Sequence, residues 1–279
     1  PPWLDTAFDD FDRFRTIFRD FVGPATGTAE RVRQHVFDVA ADFVAQGIVI
    51  ADLIVNPYTH LNETFDSKAL WRTLQEATQA VRAQVDLRLI VGLRRSLEPT
   101  LVLEHLAQWV EDAPAGTIVG IDLQSDERTR ETREFATVFD WARDHDLSCR
   151  AHAGELVGPR SVWQAIDDLG VEHVSHGVRA IVDPLLVREL ARRGTWLHVC
   201  PSSNLALGVA PSWSSHPLRP LREAGVRVTV NSDDPLIFGA HQLDELVLCW
   251  RHGLLDRAGC EEVAAEGLRA AQSLARPAP

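Results

Sequence analysis

Three short stretches in the second half of the chain set imidazole and carboxyl groups at spacings suited to hydrolytic chemistry. The first, Ser-Cys-Arg-Ala-His-Ala-Gly-Glu over 148–155, puts His152 at the end of a strand-like run and Glu155 just beyond it. Gly154 between them permits a tight turn that lets both side chains face one pocket. Neutral imidazole is a good zinc ligand, and a carboxyl group in a dry pocket can keep its proton and act as a general acid. The alternative is a core histidine bonded to a backbone carbonyl beside a surface glutamate. The second stretch, Glu-His-Val-Ser-His-Gly over 172–177, carries two histidines that strand alternation sends to opposite faces. His176, last before Gly177, is the candidate base or water-orienting group, and His173 is assigned a structural role. His198, inside the apolar run Trp-Leu-His-Val-Cys, is assigned packing or hydrogen bonding. The third stretch, Val-Asn-Ser-Asp-Asp-Pro over 230–235, ends a β-rich run on adjacent carboxylates. A bound dication would stabilise Asp233 or Asp234, leaving its neighbour to accept a substrate proton or orient a ring nitrogen. The alternative is an Asx-turn and helix N-cap.

The elements that must position these groups alternate in the rhythm β-α-β-α. Strand candidates are Ile48–Asn56, Leu87–Leu93, Thr117–Leu123, Ser148–His152, Val171–His176, Thr195–Cys200 and Val226–Asn231. Segments such as Ser67–Ala83, Glu127–Asp144, Pro159–Leu169 and Asp183–Arg193 are long enough to serve as crossover helices, so the strands are expected to be parallel. Two further helices, Phe8–Phe21 and Thr28–Gln46, are expected before the first strand, with a Gly-Pro turn around Gly23 between them. They are the candidate lid. The glycine-rich nucleotide fingerprint of many open sheets is absent. Instead the strand candidates finish on polar groups: Asn56, Asp122 with Asp126 and Glu127, His152 with Glu155, His176, Asn204, and Asp233 with Asp234. In an α/β (β/α)8 TIM-type barrel such ends converge on one mouth. No repeat or linker divides the chain, so residues 1–279 are expected to form one domain, with helices over about 8–46 and the barrel over about 47–273.

Composition bounds the function. The 279 residues suit one α/β barrel, and 45% hydrophobic with 24% charged residues argues against disorder or a membrane span. A net charge of -12 and the lack of a basic stripe exclude nucleic acid as a partner. Cys149, Cys200, Cys249 and Cys260 show no Cys-x-x-Cys spacing, which predicts neither a disulfide framework nor a thiolate zinc site and fits a cytoplasmic setting. The sequence opens on Pro-Pro-Trp and contains no methionine, from which we expect the natural N-terminus to lie upstream.

Taken together, His-Ala-Gly-Glu at 152–155, Ser-His-Gly at 175–177 and Asn-Ser-Asp-Asp-Pro at 231–235 resemble the adenosine deaminase family in order and strand position. Cys-Pro-Ser-Ser-Asn at 200–204 is similar to the family's seventh-strand segment, and Ile-Asp-Leu-Gln-Ser-Asp-Glu at 121–127 to its fourth. The resemblance runs from about Phe8 to Ala271. It implies a zinc-dependent hydrolase, with one zinc or another divalent metal per chain, that removes the 6-amino group of a purine nucleoside or related aminopurine as ammonia. It further implies His152 and Asp233 as metal ligands, Glu155 as the acid protonating purine N1, His176 as the group orienting or deprotonating the attacking water, and Asp234 as the partner of purine N7. Gly154, Ser125 and Asn56 complete the expected substrate site. The expected partner is this small molecule alone, with no membrane and with a monomer or homodimer as the assembly. The His-x-Glu and Pro-Cys-x-x-Cys signature of the nucleic-acid base deaminases is missing.

Several positions depart from the family pattern. The His-x-His pair that relatives carry on the first barrel strand is absent, together with that strand, which we expect to precede Pro1. A metal-free relative acting as a binding or regulatory protein is the alternative, because two ligands rarely hold zinc. Ser125 stands where relatives carry glycine. The stretch Val-Asn-Pro-Tyr-Thr-His at 55–60 differs from the form common in adenosine-specific members, so 6-aminodeoxyfutalosine and adenine stay open as substrates. A two-metal barrel hydrolase with a bridging lysine is disfavoured, because Lys68 is the only lysine and falls on a helical segment.

Overall fold

A strand covered on both faces requires a run of apolar, often β-branched residues, which β-strands such as Asp86–Arg94 and Ile118–Gln124 supply, and seven strands form among the described residues. The computed structural model describes residues 11–273. The strands are β1 Ile50–Val55, β2 Asp86–Arg94, β3 Ile118–Gln124, β4 Ser148–Ala153, β5 His173–His176, β6 Trp196–Val199 and β7 Arg227–Val230. The predicted runs coincide with all seven. Parallel strands joined by helices in chain order are the pattern of a TIM-type α/β barrel.

The chain falls into two compact units, each built from discontinuous segments. That discontinuity is why no linker shows in the sequence. One unit takes residues 15–124 and 137–149 and contains β1, β2 and β3. Its strands pair in parallel, Ile50 opposite Asp86 and Leu93 opposite Leu123, with an irregularity at Leu89–Ile90. From Leu87 to Leu93 every residue of β2 is buried. The helices Ser67–Val81 and Pro99–Asp112 supply Leu70, Trp71, Leu74, Val102 and Leu106 to this core.

The other unit takes residues 11–14, 125–136 and 150–273 of the described chain. Here β4 pairs β5, β5 pairs β6 and β6 pairs β7, all parallel, in registers that include His152 opposite Ser175 and His198 opposite Thr229. Parallel pairing brings the C-terminal ends of these strands to one edge, and the polar groups beyond them therefore share a neighbourhood.

Two sequence expectations are corrected in detail. The helix expected over Glu127–Asp144 begins later, as a 3-10 turn at Thr132–Phe135 running into Ala136–Asp144. Residues 127–131 are a loop because the Glu127 carboxylate is engaged with distant backbone amides. The Gly-Pro turn at 23 is instead helical, Gly23 having φ -55 and ψ -55. Proline in a first turn forfeits no hydrogen bond, so the break falls at Thr26, where φ is -127. The next helix, Ala29–Ala45, then starts from Thr28, whose side chain accepts from Arg31 N. Of the lid candidate, Phe8–Asp10 lie outside the described residues.

Candidate active site

The site is built within the unit carrying β4–β7. β4 delivers His152 and then turns sharply at Gly154, whose φ is +71. A Cβ there would meet Val162 Cγ2 at 2.5 Å, so the position demands glycine for both conformation and space. The turn places the Glu155 side chain in the interior, where the residue is 5% exposed. Burial raises the Glu155 pKa; the nearby His176 opposes that rise and the Asp233 carboxylate adds to it.

β5 ends on His176, whose Nε2 lies 3.6 Å from Glu155 Oε1 and 3.9 Å from Asp233 Oδ2. The His152 and His176 ring centroids are 5.1 Å apart. His152, Glu155, His176 and Asp233 are therefore brought together. Asp234 follows directly; its pKa is pushed up to about 8, by burial first and then by the charge of Asp233 and a hydrogen bond with it. His173 faces away, as strand alternation requires. Its Nδ1 is 3.0 Å from His198 Nε2 and its Nε2 is 3.0 Å from Ser273 Oγ, while His198 Nδ1 meets Thr229 Oγ1 at 2.9 Å.

Backbone strain concentrates in the same segments. Among the described residues the non-glycine positions with left-handed backbone are Ser125, Asp146, His176 and Asp233, at φ 83, 57, 65 and 57. Each costs on the order of 1–3 kcal/mol and persists only where the surroundings enforce it. Three of the four lie in segments that the sequence marks as functional. Ser125 therefore occupies a conformation that glycine would adopt without strain. Asn56 belongs to the other unit, at the end of β1, where it precedes the short helix Pro57–His60 and its Oδ1 is buried without a hydrogen-bond partner.

Four residues with no assigned role in the sequence reading join the site. Asn204, fully buried, has Nδ2 3.4 Å from His176 Nδ1 and Oδ1 3.3 Å from His216 Nε2. Leu218 N–H donates to His216 Nδ1 at 3.1 Å. A backbone amide can only donate, so His216 carries its proton on Nε2 and gives it to Asn204 Oδ1. The Asn204 amide then donates to His176 Nδ1, leaving Nε2–H of His176 toward the two carboxylates. Burial holds the His216 pKa down at about 4, which keeps that ring neutral. Cys200 and Glu127 were both visible inside recognised motifs, whereas nothing in Ser-Ser-His-Pro marks His216.

A metal implied by such a site can be tested against its donors. His176, Cys200 and Asp233 offer ligand atoms that all lie within 4.8 Å of one another. Two ligands on a tetrahedral zinc ion are about 3.4 Å apart for bonds near 2.05 Å. The 3.9 Å between His176 Nε2 and Asp233 Oδ2 is close to that span, so the cluster has the spacing for a divalent cation. With Nε2–H of His176 turned to the carboxylates, the imidazole of His152, 5.1 Å away between ring centroids, is the nitrogen donor that fits beside Asp233. Burial first, then the charges of Asp233, Glu245, Glu155 and Asp234, keep the Cys200 thiol protonated.

The family model described as adenosine deaminase matches residues 1–276. An adenine deaminase of Rhizobium leguminosarum bv. trifolii is 41% identical over 192 residues, covering 68% of this chain and 59% of its own length. The aminodeoxyfutalosine deaminase of Streptomyces coelicolor is 32% identical over 269 residues, covering 95% of this chain and 69% of its own. The crystal structure of adenine deaminase from Arthrobacter aurescens superposes with a TM-score of 0.86 at 25% identity, covering 95% of this chain and 80% of that one.

Proposed function

We propose, for a chain that belongs to the adenosine deaminase family, that it catalyses hydrolytic removal of the 6-amino group from an aminopurine, releasing ammonia. The observation that carries this reading is Glu155: a buried carboxyl group of raised pKa, 3.6 Å from His176 Nε2 and grouped with Asp233. A carboxyl whose pKa is raised by burial is the more ready to hold a proton and deliver it to purine N1, which makes C6 electrophilic. Asp234, its pKa also raised, holds a proton with which to donate to the acceptor N7. His176 presents Nε2–H beside Glu155 and Asp233, where it orients the attacking oxygen by donating to it. His152 and Asp233 would be two of the ligands of one divalent metal, zinc in this reading. When bound, such an ion lowers the pKa of water and supplies a nucleophile at neutral pH. Gly154 keeps the Glu155 turn tight, and Ser125 is the point where bulk near the substrate differs from relatives.

Adenine and 6-aminodeoxyfutalosine are favoured over adenosine as substrates, on the named relatives and on the departure at 55–60. The fitting partner is a small molecule. Among the described residues no helix is long and apolar enough to cross a membrane. The cytoplasmic assignment rests on four cysteines that are all free thiols. The test is ammonia release by the full-length protein from a panel of adenine, adenosine, deoxyadenosine, AMP and 6-aminodeoxyfutalosine. Turnover of at least one supports the reading; a folded, metal-loaded protein that turns over none of them overturns it.

A further inference from the structure

Glu127 is a buried acid, 4% exposed, whose carboxylate is spent entirely on the turn that carries Glu155. Its Oε1 accepts from Gly154 N at 2.8 Å and from Ser161 Oγ at 3.1 Å. Its Oε2 accepts from Glu155 N at 2.9 Å, Leu156 N at 2.6 Å and Val157 N at 3.1 Å. Gly154 N also reaches Ser161 Oγ at 2.8 Å. Four consecutive backbone amides thus converge on one acceptor-only group, an anion nest filled by the protein's own side chain.

The carbonyls of the same turn are held from the opposite direction. Gly177 N donates to Ala153 O at 3.0 Å, Arg179 N to Gly154 O at 2.9 Å, and Arg179 Nε to Glu155 O at 2.6 Å. The amides of residues 154–157 are therefore anchored by Glu127 on one side, and the carbonyls of residues 153–155 by the segment after β5 on the other. That segment follows His176 directly, so the acid Glu155 and the histidine beside it are referenced to one frame. Glu127 lies two residues after Ser125, whose backbone is left-handed at φ 83.

We propose that Glu127 is a positioning residue that fixes the Glu155 turn, and with it the placement of the acid. What Glu155 does there rests on the aminopurine reading above; that Glu127 holds the turn does not. Glutamine at 127 keeps one acceptor oxygen but points an N–H₂ group at amides that themselves donate, and the turn must open on that side. A shift of about 1 Å in a catalytic group costs up to about 100-fold in rate.

The experiment compares the parent, Glu127→Gln and Ser161→Ala in the full-length protein by two readouts, steady-state kinetics on the substrate turned over and hydrogen exchange at the amides of residues 154–157. We expect Glu127→Gln to lower kcat by about 10- to 100-fold with KM changed by less than about 3-fold, and to accelerate exchange at those amides. Ser161→Ala should move both readouts the same way by less. A folded Glu127→Gln protein with parental kcat, or with unchanged protection at 154–157, overturns the proposal. If Glu127→Gln does not fold, the same two criteria apply to Ser161→Ala. Should the parent turn over no aminopurine, the functional reading fails, while the exchange at 154–157 still decides whether Glu127 holds the turn.

Discussion

Asn204 directs its amide nitrogen at His176 Nδ1 across 3.4 Å, and this contact sets which nitrogen of the His176 ring carries the proton. Because the chain of donors begins at the Leu218 backbone amide, it has one direction only. Replacing the amide by a carboxylate reverses its last link. In Asn204→Asp, the Nδ1–H tautomer of His176 becomes the favoured one, and Nε2 loses the hydrogen it presents to Glu155 and Asp233. Nitrogen-15 chemical shifts of the His176 ring should report Nε2–H in the parent and Nδ1–H in the variant, with kcat reduced by about 10-fold or more. Identical ring shifts in the two proteins would contradict the relay.

Glu155→Gln removes the proposed proton donor while preserving size and one acceptor. We expect kcat to fall by about 10²- to 10⁴-fold with KM little changed and the fold intact by circular dichroism. Parental kcat in this variant excludes Glu155 as the acid.

The left-handed backbone at Ser125 predicts a gain on substitution by glycine. Relief of the strain, about 1–2 kcal/mol, is partly offset by the larger entropy of glycine in the unfolded chain. Ser125→Gly should therefore raise the unfolding free energy by roughly 0.5–1 kcal/mol in a urea titration. Gly154→Ala should do the opposite, because its φ of +71 and the 2.5 Å approach to Val162 Cγ2 offer an alanine no place. A loss on the order of 1–3 kcal/mol is expected, and a neutral Gly154→Ala would show that the turn yields.

His60 supplies a pH dependence outside the candidate site. Burial, which outweighs its hydrogen bond to Thr26, depresses the His60 pKa to about 4. The unfolded chain takes up its proton near pH 6.5 and the folded one does not, so the unfolded state binds more protons as pH falls. Stability from this group is complete above about pH 6.5 and is lost on descent toward pH 4. Between pH 7.5 and 4.5 the parent should lose about 2–3 kcal/mol more than His60→Gln does, all other titrations being common to both. Equal losses would mean that His60 titrates normally in the folded protein.

β2 is legible because a buried parallel strand has no solvent face to blur it, and from Leu87 to Leu93 it is apolar but for Arg88 and Gly92. His152, Glu155, His176 and Asp233 could be read from strand ends, since parallel pairing brings consecutive C-terminal ends together. Glu127 is visible as an acid, but the local amphipathic pattern that continues from it through Asp144 predicts a helix there. Its actual partners are amides about 30 residues away, which no local pattern registers. His216 was illegible for a similar reason. Its role depends on a backbone amide two residues ahead and on Asn204, twelve residues before it, meeting in space.

The most direct test of the central claim is to follow, in one sample, the loss of 6-aminopurine absorbance, the appearance of the 6-oxopurine and the ammonia released, for the metal-loaded full-length protein and for Glu155→Gln. The account predicts equimolar oxopurine and ammonia from the parent, and a rate at least about 100-fold lower from the variant despite equal metal content. Equal rates in the two proteins, or purine consumed without ammonia, would contradict it.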